Sequence, residues 1–202
     1  MSTDNNNRLV NRCLLLLVLL LLPAVHGCGE RVETAHSHIV NAARNGTVED
    51  VKYFLERGAT VNDKGSTGLS LLHLAAFFNP DVEVLKYLIE KGADINAKDH
   101  DGITPLHSAA SSLDSNIEKL KYLIEKGADV NAKGKFGATP FHLAAASDYS
   151  RIEVLKYLIE QRADVNAKDN DGKTPLDYAT GWKEKEAIIQ EAGGKRGEEL
   201  PE

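Results

Sequence analysis

Residues 152–168 read IEVLKYLIEQRADVNAK, and this stretch decides the fold because the chain repeats it. Three earlier stretches align with it without a gap: VEDVKYFLERGATVND at 48–63, VEVLKYLIEKGADINAK at 82–98 and IEKLKYLIEKGADVNAK at 117–133. Recurrence at a spacing of about 35 residues is typical of a repeat array, whose units bury their apolar faces only by stacking on each other. The sequence therefore predicts a stack of similar units.

A second recurring element precedes each long stretch and completes the unit. It reads IVNAAR at 39–44, LLHLAA at 71–76, PLHSAA at 105–110, PFHLAA at 140–145 and PLDYAT at 175–180. The interval between copies is 33 residues from Ala42 to Ala75 and 35 residues from Ala144 to Ala179. Every added residue falls in the linker between the two elements. The underlying unit therefore has 33 residues, with four full copies and a truncated fifth.

Each unit carries the signals of two short helices followed by a turn. Thr139 and Pro140 place a capping hydroxyl before a proline at the first helical position, where its missing N–H is tolerated. Apolar residues then recur through 152–160 at the spacing of one helical face. Gly127 follows the second helix of its copy and supplies the left-handed residue that closes a helix. Arg162 stands at the same place in the next copy, so we expect an energetic penalty and a looser turn there.

This pattern resembles the ankyrin repeat family. The resemblance rests on GITPLH at 102–107, GATPFH at 137–142 and GKTPLD at 172–177, together with the Gly-Ala-Asp-x-Asn runs that begin at Gly92 and Gly127. It implies an all-α solenoid, in which helix-turn-helix units are joined by hairpin-like loops called fingers.

The resemblance also sets the expected boundaries of the domain. It covers 36–192, with repeats at about 36–66, 67–100, 101–135, 136–170 and 171–192. The first and last copies have polar residues and are expected to cap the stack. The tail at 193–202 has no apolar periodicity, so we predict that it is disordered.

The N-terminal segment has the organisation of a secretory signal. Arg8 and Arg12 precede the apolar run at 13–22, and Pro23 and small residues follow it. The run is shorter than the roughly 20 apolar residues of an easy membrane span. We therefore predict a signal peptide at 1–27 and export of the remaining chain, with an uncleaved anchor as the alternative.

The end of this segment predicts a lipid anchor. VHGC at 25–28 resembles the lipobox of bacterial lipoproteins, in which the cysteine is acylated, so Cys28 is the predicted lipidation site and 28–35 a short tether. A lone thiol at the start of a secreted chain favours this interpretation. Simple cleavage before Cys28 and secretion is the alternative. The sequon at 45–47 is either a glycosylation site or an ordinary turn between helices.

Composition and motifs argue against several function classes. The net charge of −6 argues against a nucleic-acid partner, because phosphate binding needs a concentrated basic surface. Cys13 and Cys28 are the only cysteines, which excludes a disulfide framework and a cysteine zinc site in the mature chain. The chain has no GxSxG, HExxH, P-loop or dinucleotide-binding glycine motif. We therefore expect neither an enzyme nor a cofactor.

The recurring histidines His73, His107 and His142 are predicted to be structural. Because they occur once per copy, they form a ladder and do not converge on one metal ion. The resemblance implies that each ring bonds the backbone of adjacent turns. His36 and His38 supply only two ligands, too few for a metal site.

Residues that vary between copies indicate the binding surface, because structural positions are the ones that repeat. The resemblance places the contact positions at the finger tips and just after each Ala-Ala pair. The predicted partner-binding residues are Leu69, Phe77, Phe78, His100, Asp101, Ile103, Ser111, Ser112, Lys135, Phe136, Asn170 and Lys173. The remaining positions of this set are Ser66, Thr67, Ala138, Ala146, Ser147 and Asp171.

Three aromatic residues in this set are the predicted anchors. Phe77, Phe78 and Phe136 are large apolar groups where the framework does not need them, and aromatic residues are common hot spots. The alternative is that Phe77 and Phe78 pack under the longer linker of their copy.

The predicted function is that of a protein–protein interaction scaffold. We expect a monomeric, exported and lipid-anchored protein of the cell envelope, which binds a protein partner through its concave face. The alternative is a structural or inhibitory protein that shields a neighbouring envelope enzyme.

Overall fold

The computed structural model describes residues 33–65, 67–112, 117–148 and 152–201, with side chains described from residue 38 onward. These residues form ten α-helices. They are α1 Glu33–Asn45, α2 Val48–Glu56, α3 Leu71–Phe77, α4 Val82–Glu90, α5 Pro105–Ala110, α6 Ile117–Glu125, α7 Pro140–Ala146, α8 Ile152–Glu160, α9 Pro175–Tyr178 and α10 Lys183–Glu191. A 3-10 turn follows at Gly197–Glu199.

The helices form two layers that run the length of the array. In the first layer α1, α3, α5, α7 and α9 stack in order, each against the next. In the second layer α2, α4, α6, α8 and α10 do the same. Within the described part of the chain the one β pairing outside the helices is a bridge between Lys64 and Ser70. The predicted all-α solenoid is therefore confirmed.

The first-layer helices inside the array, α3, α5 and α7, are short and almost completely enclosed. Thr139 caps α7 and Pro140 occupies its first position, and the same Thr-Pro pair starts α5 and α9. Helices α3, α5 and α7 each lie between two first-layer neighbours and the second layer. As a result, every side chain of α3 and α5 is buried.

The second-layer helices are amphipathic, as the sequence predicts. In α4 the side chains of Val84, Leu85 and Leu88 are fully buried, whereas Glu83 and Glu90 are exposed. Burial of a side chain of this size stabilises a fold by roughly 1.5–3 kcal/mol. The second layer thus contributes an apolar stripe to the core and a charged face to the surface.

The turn after each second-layer helix requires a left-handed residue. Gly92 and Gly127 have φ angles of 89° and 97°, and a Cβ at either position would meet no atom within 4 Å. Glycine is therefore favoured there by its dihedral angle alone. Arg162 adopts a φ of 64° at the equivalent position, in agreement with the expected penalty. The turn is not looser, because the Ala163 N–H still donates to the Leu158 carbonyl at 2.9 Å. A left-handed conformation costs a residue with a Cβ roughly 1–2 kcal/mol.

A ladder of asparagine side chains ties each copy to the next. The amide of Asn62 donates to the Gly92 carbonyl at 3.2 Å and accepts from the Asp94 N–H at 2.9 Å. Asn96 and Asn131 make the same two bonds to the copies that follow them. Both functions of each amide are therefore used in joining neighbouring fingers.

The last rung of this ladder corrects the prediction of a disordered tail at 193–202. The amide of Asn166 donates to the Gly193 carbonyl at 3.0 Å and accepts from the Lys195 N–H at 2.7 Å. The Thr174 hydroxyl also donates to the Lys195 carbonyl at 2.6 Å. Residues 193–201 thus occupy the place of a further finger. Polar hydrogen bonds hold them there, and such bonds require no apolar periodicity in the sequence.

The N-terminal boundary also differs from the prediction. Helix α1 begins at Glu33, inside the predicted tether at 28–35. The predicted signal peptide at 1–27 and the lipidation site Cys28 lie outside the described residues. No helix of the described ranges is long and apolar enough to cross a membrane.

Candidate interaction surface

The fingers are the loops at 57–70, 91–104, 126–139 and 161–174, which we number 1 to 4 in chain order. Each is closed near its tip by a backbone hydrogen bond across four residues. The donors and acceptors are Gly65 N–H to Leu69 carbonyl at 2.9 Å, Asp99 to Ile103 at 3.0 Å, Gly134 to Ala138 at 3.0 Å and Asp169 to Lys173 at 2.9 Å. All four fingers therefore share one hairpin-like geometry.

A carboxylate stiffens the tips of fingers 2 and 4. Oδ1 of Asp99 accepts from the N–H groups of Asp101 and Ile103 at 2.9 and 2.8 Å. Burial raises the pKa of Asp99 above its ordinary value, and these two N–H bonds oppose the shift. Asp169 makes the same bonds in finger 4, and its Oδ2 accepts from the Tyr178 hydroxyl at 2.6 Å.

The recurring histidines link the first-layer helices to the fingers by hydrogen bonds. Nδ1 of His73 accepts from the Ser70 N–H at 3.2 Å, so Nε2 carries the proton and donates to the Ile103 carbonyl at 2.8 Å. His107 and His142 repeat this arrangement toward Ala138 and Lys173 at 3.1 and 3.2 Å. Each ring thus joins a helix start to the next finger, which confirms the structural role.

The chemistry of the ladder fits neutral imidazole rings. Burial lowers the pKa of His73 and of His107 to about 4, and it also lowers the pKa of His142. The described residues contain no group of three His, Cys, Asp or Glu side chains that could hold a metal ion.

The last copy replaces the histidine with Asp177. Its Oδ2 accepts from the N–H of Thr174 at 2.9 Å and from the N–H of Gly197 at 2.8 Å. A histidine here would need a carbonyl acceptor on a following finger. The tail offers an N–H donor instead, so an acceptor-only carboxylate fits the end of the array.

Backbone hydrogen bonds join adjacent finger tips into one strip. The Lys135 N–H donates to the Asp101 carbonyl at 2.7 Å, and the Asn170 N–H donates to the Phe136 carbonyl at 2.9 Å. The side chain of Asn170 adds a bond to the Lys135 carbonyl at 3.0 Å. Fingers 2, 3 and 4 are therefore held in register at their tips.

The strip carries two rows of side chains. The residues that precede the glycine of each tip form what we call the tip row: Thr67, Asp101, Phe136 and Asp171. Asp171 is exposed and the other three are partly buried. The second row consists of His100, Lys135 and Asn170, all exposed. Nζ of Lys135 lies 3.8 Å from Oδ1 of Asp101 and 5.9 Å from the centroid of the Phe136 ring.

Comparison with protein families gives two matches to this chain. Ankyrin repeats in three copies match residues 39–134, and ankyrin repeats in many copies match residues 123–179. The chain belongs to the ankyrin repeat family. Comparison with curated proteins gives no match. Ankyrin repeats generally mediate protein–protein interaction, so a protein partner is indicated.

The burial of two finger residues corrects the predicted ankyrin contact set. Leu69 and Ile103 lie just after the finger glycines and are only 5% and 7% exposed. Leu69 belongs to the hydrophobic core, and the Ile103 carbonyl accepts from His73. Neither residue contributes an exposed side chain for a partner.

The residues after each Ala-Ala pair are also more buried than predicted. Phe77 is 1% exposed because it is the last residue of α3 and packs in the core, with its ring edge-on to Phe78 at 4.6 Å. Ser111 and Ser112 are buried as well, and the Ser111 hydroxyl donates to the His107 carbonyl at 3.1 Å. The prediction of Phe77, Ser111 and Ser112 as surface contacts is therefore wrong.

Phe78 and its neighbour Asn79 show what the longer linker does. Phe78 is partly buried, with the guanidinium of Arg44 4.4 Å above its ring. The amide of Asn79, which sequence reasoning missed, donates to the carbonyls of Ala43 and Gly46 at 3.1 and 2.9 Å. The linker thus binds the end of α1 in the preceding ankyrin copy.

The remaining predicted residues come together on the finger strip. His100, Asp101, Lys135, Phe136 and Asn170 lie on fingers 2 to 4 within the two rows. Lys173 belongs to neither row because it follows the glycine of finger 4. It is partly buried, with its Nζ 5.6 Å from the Tyr178 ring centroid. Ser66 lies outside the described residues. The candidate surface of this ankyrin array is therefore its line of finger tips.

Proposed function

We propose that this chain is an exported, lipid-anchored ankyrin protein that binds a protein partner through its finger tips. The observation that carries the proposal is the contrast between tips and helices. Side chains that differ between copies are accessible at the tips, whereas all side chains of α3 and α5 are buried. A partner at the concave side therefore meets the fingers first.

The rigidity of the strip supports binding. Hydrogen bonds between Lys135 and Asp101 and between Asn170 and Phe136 order the tips before a partner arrives. Binding then loses less conformational entropy than it would on mobile loops. Phe136 is the aromatic residue of the tip row, and aromatic side chains dominate many interface hot spots.

The surface is tested with Phe136→Ala against a matched control. Tyr122→Ala removes a partly buried aromatic side chain from α6, in the other layer. After crosslinking in the native cells, Phe136→Ala should lose the partner that the natural chain and Tyr122→Ala retain. Both variants must show cooperative unfolding. Equal recovery of the partner with Phe136→Ala would reject the finger tips as the binding surface.

The lipid anchor at Cys28 is supported by the signal-like segment before it and by the short distance to the array. Five residue steps lead from the predicted anchor, Cys28, to the start of α1 at Glu33, with four residues, 29–32, between them. Fully extended, the five steps span at most about 18 Å. Anchoring would therefore hold the first ankyrin copy next to the membrane.

Intact mass spectrometry of the protein from its native membrane tests export and lipidation together. The proposal expects a chain that begins at Cys28 with added acyl mass. A Cys28→Ser variant should lack that mass and leave the membrane fraction. A mature chain that retains Met1 would contradict export, and an unmodified Cys28 would contradict the anchor.

A further inference from the structure

The tip row has a chemical pattern that narrows the kind of partner segment. At equivalent positions of fingers 2, 3 and 4 lie an acid, an aromatic and an acid: Asp101, Phe136 and Asp171. Because the three positions are equivalent and the tips are hydrogen-bonded in register, Phe136 lies between the two carboxylates. The row therefore has an apolar centre with a negative charge on each side.

One carboxylate of the tip row is exposed and the other is partly exposed. Asp171 is exposed, and the ion pairs of the described residues do not include it. Among the described residues Asp101 pairs with Lys135, at 3.8 Å, and the Asp101 and Lys135 side chains are 23% and 62% exposed. At this distance and with Lys135 largely exposed the pair is weak, so a partner cation can displace Lys135. The chain as a whole carries a net charge of −6, which favours a basic partner.

The distance between the two carboxylates of the tip row determines how long a bound partner segment must be. Neighbouring helices in an array pack about 8–10 Å apart, so two copies separate Asp101 from Asp171 by roughly 16–20 Å. An extended chain rises about 3.3 Å per residue and covers that distance in five or six residues. A segment laid along the tips would place its middle residue at Phe136.

We propose that the tip row recognises an extended segment of a partner protein that carries two basic side chains five or six residues apart and an apolar side chain between them. The inference rests on the proposed function, since it concerns the same surface. It adds the chemistry of the partner, which the fold alone does not supply.

The test selects binders from a random linear peptide library displayed on phage, with the whole exported chain as the target. The expected peptides have two Arg or Lys residues at this spacing around an apolar residue. Asp101→Asn with Asp171→Asn keeps the shape of both side chains and should weaken the selected peptides about fivefold or more at low salt. Lys135→Gln removes the competing cation and should strengthen the same peptides.

Three outcomes separate this inference from the proposed function. Peptides that need Phe136 but carry no basic pair, or bind the Asp101→Asn, Asp171→Asn variant equally well, overturn the inference and leave the surface intact. A selection without any peptide that depends on Phe136 overturns both. Cooperative unfolding of each variant, measured alongside, shows that a loss of binding does not come from a loss of fold.

Discussion

Asn166 donates a hydrogen bond from its side-chain amide to the carbonyl of Gly193, at 3.0 Å. The partner lies in the tail, at the position that Gly92, Gly127 and Arg162 occupy for the earlier rungs of the ladder. The tail is thus the start of another finger. Gly197 stands where the next asparagine would be, so the ladder stops there.

The first prediction concerns this last rung. Asn166→Ala removes the bonds to Gly193 and Lys195 and should lower the free energy of unfolding by about 1–3 kcal/mol, because two backbone groups lose their partners. Hydrogen exchange at 193–200 should accelerate in the same variant. Gln190→Ala, at an exposed position of α10, is the control and should change neither quantity.

An unchanged exchange rate at 193–200 in Asn166→Ala would mean that the amide does not hold the tail. The ladder would then end at Asn131.

The second prediction concerns the strained turn after α8. Arg162→Gly should raise the free energy of unfolding by about 0.5–1 kcal/mol, because relief of the left-handed strain outweighs the added chain entropy of glycine. Gly127→Arg, the reverse change one copy earlier, should lower it by about 1–2 kcal/mol. Urea unfolding of both variants measures the two effects, and a stabilised Gly127→Arg variant would contradict the explanation.

The third prediction concerns pH and the histidine ladder. In the folded state the pKa of His73 and of His107 is about 4, below the ordinary value of 6.5. The unfolded chain therefore binds more protons between these values. The contribution of the two neutral rings to the free energy of unfolding is fully present above about pH 6.5. It declines as the pH falls toward 4, by up to roughly 1.4 kcal/mol per pH unit for each histidine.

Unfolding curves across this range, with NMR titration of the ring resonances, measure the histidine effect. Rings of His73 and His107 that titrate near 6.5 in the folded protein would contradict it. The ring nitrogen shifts should also show Nε2 as the protonated atom, as the Ser70 and Thr104 N–H donors require.

The fourth prediction concerns a buried hydroxyl in α5. Oγ of Ser108 is buried and has no hydrogen-bond partner among the described residues. An unpaired buried hydroxyl costs about 1–3 kcal/mol, so Ser108→Ala should leave the stability unchanged or raise it slightly. Ser70→Ala removes a hydroxyl that lies 2.7 Å from Nδ1 of His73 and should destabilise by about 1 kcal/mol. Equal losses in both variants would show that Ser108 has a partner.

The features that depend on local geometry could be predicted from the sequence. The Thr-Pro starts of α5, α7 and α9 follow from the conformations that these residues allow. The penalty at Arg162 follows from the glycines at the equivalent place of the earlier copies. The structural role of His73, His107 and His142 followed from their recurrence at one position of each copy together with the family resemblance. The helix starts and the histidine role are confirmed.

The features that arise from contacts between stacked copies could not be predicted from the sequence as directly. Ile103 and Ser111 vary between copies as a binding surface does, yet neighbouring copies bury both. The tail contributes polar groups to the stack, and a search for apolar periodicity does not detect such groups. The even recurrence of Asn62, Asn96, Asn131 and Asn166 was a usable signal, since the last amide needs a partner in the tail.

The most direct test of the central claim is photo-crosslinking from the finger tips in the native cells. A photoreactive phenylalanine analogue replaces Phe136 in one chain and Tyr122, in the second layer, in another. The account predicts a protein adduct from position 136 and none from position 122, with the adduct lost in the Asp101→Asn, Asp171→Asn background. An adduct from position 122 alone, or from neither position, would contradict partner binding at the finger tips.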